Sequence, residues 1–175
     1  MQTFLKASIL AVAFTPSLVF AQANWFPAEG EQEFTLNGSG KSDNDFDTNT
    51  FDMSASWGQY LTPRGLVGVR QFLSVIDQEN SGTDLDGSTA VFYDHHFDFN
   101  RARPFIGVNL GYNYGDRSEE TFSAGPEAGL KYYVRTKTFI QAMVQYQFLF
   151  EDADEADDNF EDGIFSYSLG VGYNF

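Results

Sequence analysis

Side chains alternate between two faces all the way to the last residue of this chain, and that residue is Phe175. Phe165, Tyr167, Leu169, Val171, Tyr173 and Phe175 share one face, while Ser166, Ser168, Gly170, Gly172 and Asn174 share the other. A period of two is the side-chain repeat of a β-strand, so this segment separates two different environments. The ends of soluble domains are usually frayed and polar. Here the end reads as a strand with an aromatic last position. Such a strand must be paired in a sheet, and something apolar must cover its Phe, Tyr, Leu and Val face.

The same period recurs upstream and predicts eight strands. The first seven cover residues 32–41, 49–61, 65–76, 88–99, 104–114, 127–135 and 139–150, and the eighth closes at Phe175. A tilted membrane strand needs about 9–11 residues, which these segments supply. Three connections are short: Thr62-Pro63-Arg64, Asn100-Arg101-Ala102-Arg103 and Thr136-Lys137-Thr138. The others are longer, polar and acidic. Short turns on one rim and long loops on the other are the pattern of outer-membrane barrels, with the short turns in the periplasm. An even strand number leaves both termini on that same side. No second domain and no strong internal repeat is visible.

The cost of burying charge decides which face meets lipid. In strand six Ala128, Leu130, Tyr132 and Val134 alternate with Glu127, Gly129, Lys131, Tyr133 and Arg135. Lys or Arg against lipid costs about 2–4 kcal/mol at the bilayer midplane, so Lys131 and Arg135 are expected in the lumen. The same argument turns Ile140, Ala142, Val144, Tyr146, Phe148 and Phe150 outward in strand seven, with Gln141, Met143, Gln145 and Gln147 inward. In strand five it turns Ile106, Val108, Leu110, Tyr112 and Tyr114 outward, with Gly107, Asn109, Gly111 and Asn113 inward. Strand three is less clean, because the phase that buries Arg70 exposes Gln71. The structural rival is a soluble lipocalin-type barrel with the apolar face inside. Against it, the polar face is rich in Gly, Ser, Asn and Gln, which suits a narrow interior filled by side chains.

The amino terminus fits an exported chain. Lys6 is the only charge among the first 28 residues, an apolar run follows it, and Ala21-Gln22-Ala23 is a small-x-small cleavage site. Residues 1–23 read as a secretory signal peptide and residues 24–175 as one barrel domain. The alternative, a membrane anchor, would need about 20 apolar residues, and Pro16 interrupts the run. Aromatics make up 17% of the chain, yet mean hydropathy is only −0.31. That combination suits strands that are half apolar. The chain has no Cys, so an exported protein of this sequence cannot use disulfides. A formal net charge of −15 repels nucleic acid and excludes a phosphate-tracking surface.

Three segments carry a family resemblance: Gly58-Gln59-Tyr60-Leu61-Thr62-Pro63, Arg103-Pro104-Phe105-Ile106-Gly107-Val108-Asn109-Leu110-Gly111-Tyr112, and Gly125-Pro126-Glu127-Ala128-Gly129-Leu130-Lys131-Tyr132-Tyr133. With the Tyr173 to Phe175 ending, the chain resembles the small OmpA/OmpX-like outer-membrane β-barrels, the porin-family or opacity-type surface proteins. The resemblance covers the whole mature chain. It implies an all-β, eight-stranded antiparallel up-and-down transmembrane barrel in the outer membrane of a Gram-negative-type bacterium. It further implies that Tyr173 and Phe175 are the assembly signal read by the barrel-assembly machinery. No peptidoglycan-binding domain follows, in contrast to full-length OmpA. The family is specific for architecture and weak for function.

Candidate chemistry is sparse. Arg70, Asp94, Asp98, Glu127, Lys131 and Arg135 are expected to form a charge network in the lumen. A fixed plug of paired charges is favoured over a gated pore, because eight strands leave little open channel. The acidic residues Asp43, Asp45 and Asp47, then Asp84 and Asp86 with Gly87, and the acids of residues 151–162 are expected in long loops. They form a solvated rim beside anionic lipopolysaccharide. Weak divalent binding is conceivable there, but no complete ligand loop is present. His95 and His96 are the only histidines; they fall near the short-turn rim and are expected to be structural. Trp57, Tyr60, Phe97, Phe99, Tyr173 and Phe175 are expected to form an interfacial girdle. Arg64, Arg101, Arg103 and Lys137 are expected on the short turns facing headgroups. No catalytic, metal or cofactor site is expected. The chain reads as a non-enzymatic structural or surface-interaction protein of the envelope; a small low-conductance channel is the alternative and a lipid-modifying enzyme a distant third.

Overall fold

A computed structural model of the chain describes residues 25–42, 48–78, 82–115, 121–150 and 164–175. The signal peptide expected over residues 1–23 lies outside them. Eight strands follow one another: β1 Gln32–Ser42, β2 Thr48–Thr62, β3 Gly65–Gln78, β4 Gly82–His96, β5 Ala102–Gly115, β6 Thr121–Tyr133, β7 Thr138–Phe150 and β8 Ile164–Asn174. Each pairs antiparallel with its neighbours in chain order, and β1 closes on β8 to complete a barrel. The last residue takes part in that closure. Gln32 and Phe175 exchange two backbone hydrogen bonds of 3.0 and 2.9 Å.

The alternation resolves as lumen against exterior. In β6 Leu130 and Tyr132 are each 43% exposed, whereas Lys131 is 1% and Tyr133 0% exposed. Ile106, Val108 and Leu110 in β5, Ile140 in β7 and Leu169 and Val171 in β8 are likewise exposed. A continuous apolar belt of this kind has no place on a water-soluble barrel, so the lipocalin-type arrangement is excluded. The lumen is filled by interdigitation of large and small residues. Phe92 lies opposite Gly68, Phe105 opposite Gly129, and Phe139 opposite Gly172. In each pair the ring occupies the space where a Cβ on the glycine would stand.

Two strands start well before the residue that the sequence pattern predicts. β6 begins at Thr121 rather than at residue 127, because it runs straight through Gly125-Pro126. Proline lacks a donor, and the β6–β7 ladder lapses between Ala124↔Phe148 and Glu127↔Gln145, then resumes in the same register. β4 begins at Gly82 rather than at residue 88. Asp84, Asp86 and Gly87, expected in a loop, are paired with Ile76, Ser74 and Leu73 of β3.

The short connections gather on the rim where the described chain begins, at residues 25–31, and where Phe175 lies. Asn100 turns the β4–β5 hairpin with φ of 55°, a left-handed conformation that Asn tolerates better than most residues. Residues 25–31 fold back across this rim, where Gly30 N–H donates to Tyr60 O at 2.8 Å and Tyr60 N–H to Glu31 O at 2.9 Å.

Candidate functional site

Inward-facing positions of neighbouring strands bring the lumen charges together in layers. The middle layer centres on Glu127 of β6. Arg70 of β3 donates to both of its carboxylate oxygens, at 2.9 and 3.0 Å, in a bidentate pair. Asn109 of β5 and Gln145 of β7 donate to Oε2 at 2.8 and 2.9 Å. The Arg70 guanidinium also lies 4.6 Å from the centroid of the Phe92 ring. Asp94 shares this layer: it and Glu127 flank Gly107, one on each side. Asp94 is buried, and its Oδ1 has no hydrogen-bond partner among the described residues.

The next layer towards the termini centres on Glu33 of β1. Lys131 Nζ reaches its Oε1 at 2.6 Å, and the Tyr60 hydroxyl donates to Oε2 at 2.7 Å. The ammonium is flanked by the rings of Phe105 and Phe139, each 5.2 Å away. Glu33 was not among the sequence candidates, although it alternates with Phe34 and so shares the inward phase of Thr35 and Asn37.

A third layer closes the terminal rim. Arg103, expected on an exposed turn, is fully buried. Its Nε donates to Asp98 Oδ1 at 2.9 Å, and its guanidinium also bonds Pro63 O. It faces the rings of Phe26 and Tyr60 at 5.3 and 5.2 Å. Phe26 is half-buried and meets Tyr133 edge-on, and Pro27 beside it is buried, so the segment before β1 forms part of the closure.

Two expected lumen charges lie elsewhere. Asp98 sits past the end of β4 in the rim, bridging Arg103 and the exposed Arg64, the latter at 2.9 Å. Arg135 does not enter the lumen: β6 ends at Tyr133, and Arg135 is exposed in the turn closed by its carbonyl accepting from Thr138 N–H. Of the six candidates, Arg70, Asp94, Glu127 and Lys131 are buried in the lumen. Of the expected girdle, Trp57, Phe97, Phe99 and Tyr173 are exposed, but Tyr60 points inward to Glu33.

His96 is buried between the rings of Tyr60 and Phe105, at 5.6 and 5.4 Å, and its Nδ1 lies 3.3 Å from Arg64 O. His95 stacks edge-on against Phe97. Among the described residues, neither imidazole hydrogen-bonds a hydroxyl or a carboxylate. Among the described residues no group of His, Cys, Asp and Glu could hold a metal ion. Asp43, Asp45, Asp47 and the acids of residues 151–162 lie outside the described residues.

Beyond Arg70, away from the termini, the lumen opens into a cavity of about 410 Å³. Asn37, Ser54, Ser88, Asn113, Gln145, Gln147, Ser166 and Ser168 line it, with Asp52 and Phe72. Met53, Ala90, Phe165 and Tyr167 add apolar surface, so the lining is mixed and, apart from Arg70 and Asp52, uncharged.

Comparison with protein-family models and with curated proteins returned no match. Solved structures do match. The N-terminal β-barrel domain of Pseudomonas aeruginosa OprF superposes with a TM-score of 0.53 at 21% identity, over 85% of this chain and 100% of that one. Neisserial surface protein A gives 0.58 at 16% identity, over 83% of this chain and 96% of that one. The Yersinia pestis outer membrane protein Ail, determined in a phospholipid bilayer nanodisc, gives 0.55 at 16% identity, over 84% of this chain and 100% of that one. The chain therefore has the fold of the small eight-stranded outer-membrane barrels.

Proposed function

We propose that this protein is a non-enzymatic barrel of a bacterial outer membrane, with a closed lumen and a structural or surface-interaction role. The observation that carries the reading is the stacked closure of the lumen. The Arg70–Glu127 layer, the Lys131–Glu33 layer and the Arg103–Asp98 rim lie in series, and each couples a cation to a carboxylate within 3.0 Å. Pairing and hydrogen bonding offset the cost of burying a charge, and Arg70, Glu127, Lys131 and Glu33 are committed to one another's company rather than to a passing ion. The exposed apolar belt supports residence in a bilayer, and the three matched natural barrels support the outer membrane as that bilayer. The enclosure of His96 by aromatic rings speaks for a structural histidine. Lipopolysaccharide is the proposed neighbour on the side away from the termini, and the barrel-assembly machinery the proposed partner during insertion.

The test is conductance of the refolded mature chain in planar bilayers, with a heat-dependent gel shift to report barrel formation. A folded, inserted and silent barrel is expected. Discrete current steps in the wild-type chain would overturn the closed-lumen reading and make the protein a small channel.

A further inference from the structure

We propose that the cavity beyond Arg70 binds the head group of a neutral, hydroxyl-bearing, single-chain amphiphile, admitted from the side through an open seam between β1 and β8. This rests on the reading that the barrel spans a bilayer.

The seam is visible in the pairing. β1 pairs with β2 through eleven residues, from Gln32↔Gln59 to Ser42↔Asn49. β8 pairs with β7 through ten, from Thr138↔Tyr173 to Gln147↔Ile164. β1 and β8 pair with each other through only six, and the ladder stops at Gly38↔Leu169. Past that point, among the described residues, β1 pairs only with β2 and β8 only with β7, and their facing backbone edges are unpaired. Such edges do not persist against hydrocarbon, where no water can satisfy them. Something carrying hydrogen-bonding groups must reach them.

The cavity reaches the same place. Its walls include inward-facing Asn37, Ser54 and Ser168, yet also Met53, Phe165 and Tyr167, whose side chains point outward and are exposed. The cavity thus comes up against the wall beside the point where the β1–β8 ladder stops. Among the described residues, Asn37 Oδ1, Ser168 Oγ and Arg70 Nε are buried here without a hydrogen-bond partner. The volume, about 410 Å³, lies in the range of small-molecule sites.

Charge selects the ligand class. The terminal nitrogens of Arg70 are committed to Glu127, and Asp52 stands in the same wall. An anionic head group would meet a carboxylate and no free cation. The remaining lining combines amide and hydroxyl groups, which match the donors and acceptors of a polyol, with the apolar side chains of Met53, Phe72, Ala90, Phe165 and Tyr167, which suit a chain. The aliphatic tail would leave through the seam along Phe165 and Tyr167, the face that lipid covers.

The experiment uses the refolded barrel in lipid nanodiscs and a monoacylglycerol carrying a photoreactive diazirine in its chain. Saturable labelling is expected at Met53, Phe165 or Tyr167. 1-Monolauroylglycerol should compete at least about tenfold better than dodecanoate or dodecyltrimethylammonium. Continuing the β1–β8 register places position 39 opposite position 168. A Ser39→Cys, Ser168→Cys chain, oxidised to zip the seam, should lose labelling at least about tenfold and regain it on reduction. Ser54→Trp, which fills the cavity and leaves the seam alone, should lose it irreversibly. Labelling spread evenly around the barrel, labelling unchanged in both variants, or equal competition by dodecanoate would overturn the proposal. The heat-dependent gel shift of each sample separates these failures from failure of the barrel itself.

Discussion

Three side chains converge on one carboxylate at Glu127, and that determines what its removal does. Glu127→Ala leaves Arg70 buried without its counter-charge, a change that costs about 3–5 kcal/mol in comparable buried pairs. Replacing both partners by apolar residues of similar size is often neutral or stabilising. The expectation is a large fall in the urea midpoint of the vesicle-embedded barrel for Glu127→Ala, and a much smaller change for Arg70→Met with Glu127→Leu. Equal losses in both would mean that the pair itself stabilises the fold. Gly129 makes a second residue-scale prediction. A Cβ there collides with the Phe105 ring and the Ala142 carbonyl, and overpacking of this kind costs about 1–3 kcal/mol. Gly129→Ala should therefore lower the same midpoint, and Gly129→Ala with Phe105→Leu should recover part of the loss. The inward phase of Arg70, Glu127 and Lys131 was legible in the sequence because lipid penalises a misplaced charge. Their partners were not. Lys131 and Glu33 are 98 residues apart, and only closure of β1 onto β8 brings them to one height.

At the scale of strands, the pattern was clear where the two faces differ and misleading where local chemistry imitates a break. Gly125-Pro126 reads as a strand start, yet proline needs only to sit where its missing donor can go unused, and the lapse in the β6–β7 ladder is that place. Asp84 and Asp86 read as loop, yet they belong to a paired strand. The reverse error placed Arg135 inside, because alternation continued on paper for two residues past Tyr133, where the backbone already turns. The end of β8 carries the prediction proper to this scale. Phe175 bonds Gln32 through both its backbone groups and stacks on Tyr173 with ring planes 15° apart. Deleting Phe175 removes the last rung of the closing ladder together with the aromatic terminus. Outer-membrane levels of the truncated chain should fall severalfold, with fragments appearing in the periplasm. Phe175→Tyr, which keeps both, should accumulate normally. Undiminished levels after deletion would show that neither the last rung nor the aromatic terminus is needed for assembly.

For the whole molecule the decisive point is that the barriers in the lumen lie in series. Ions entering from the terminal rim meet Phe26 and Arg103, then the Lys131–Glu33 layer with its flanking rings, then Arg70–Glu127, and only then the polar cavity. Barriers in series limit flow by the highest one that remains, so opening any single layer should leave the barrel silent. Arg70→Ser alone, Lys131→Ser alone and removal of residues 24–28 alone should each give a folded barrel without current steps in planar bilayers. Combining Arg70→Ser, Lys131→Ser and Arg103→Ser with the truncation should produce steps, because no ion pair then spans the lumen in any of the three layers. Burial also predicts the response to salt. A Debye length of about 8 Å at physiological ionic strength screens exposed charges well and buried pairs poorly, so 1 M salt should leave the wild-type barrel silent. Conduction from one single variant would identify that layer as the whole barrier and reduce the others to packing.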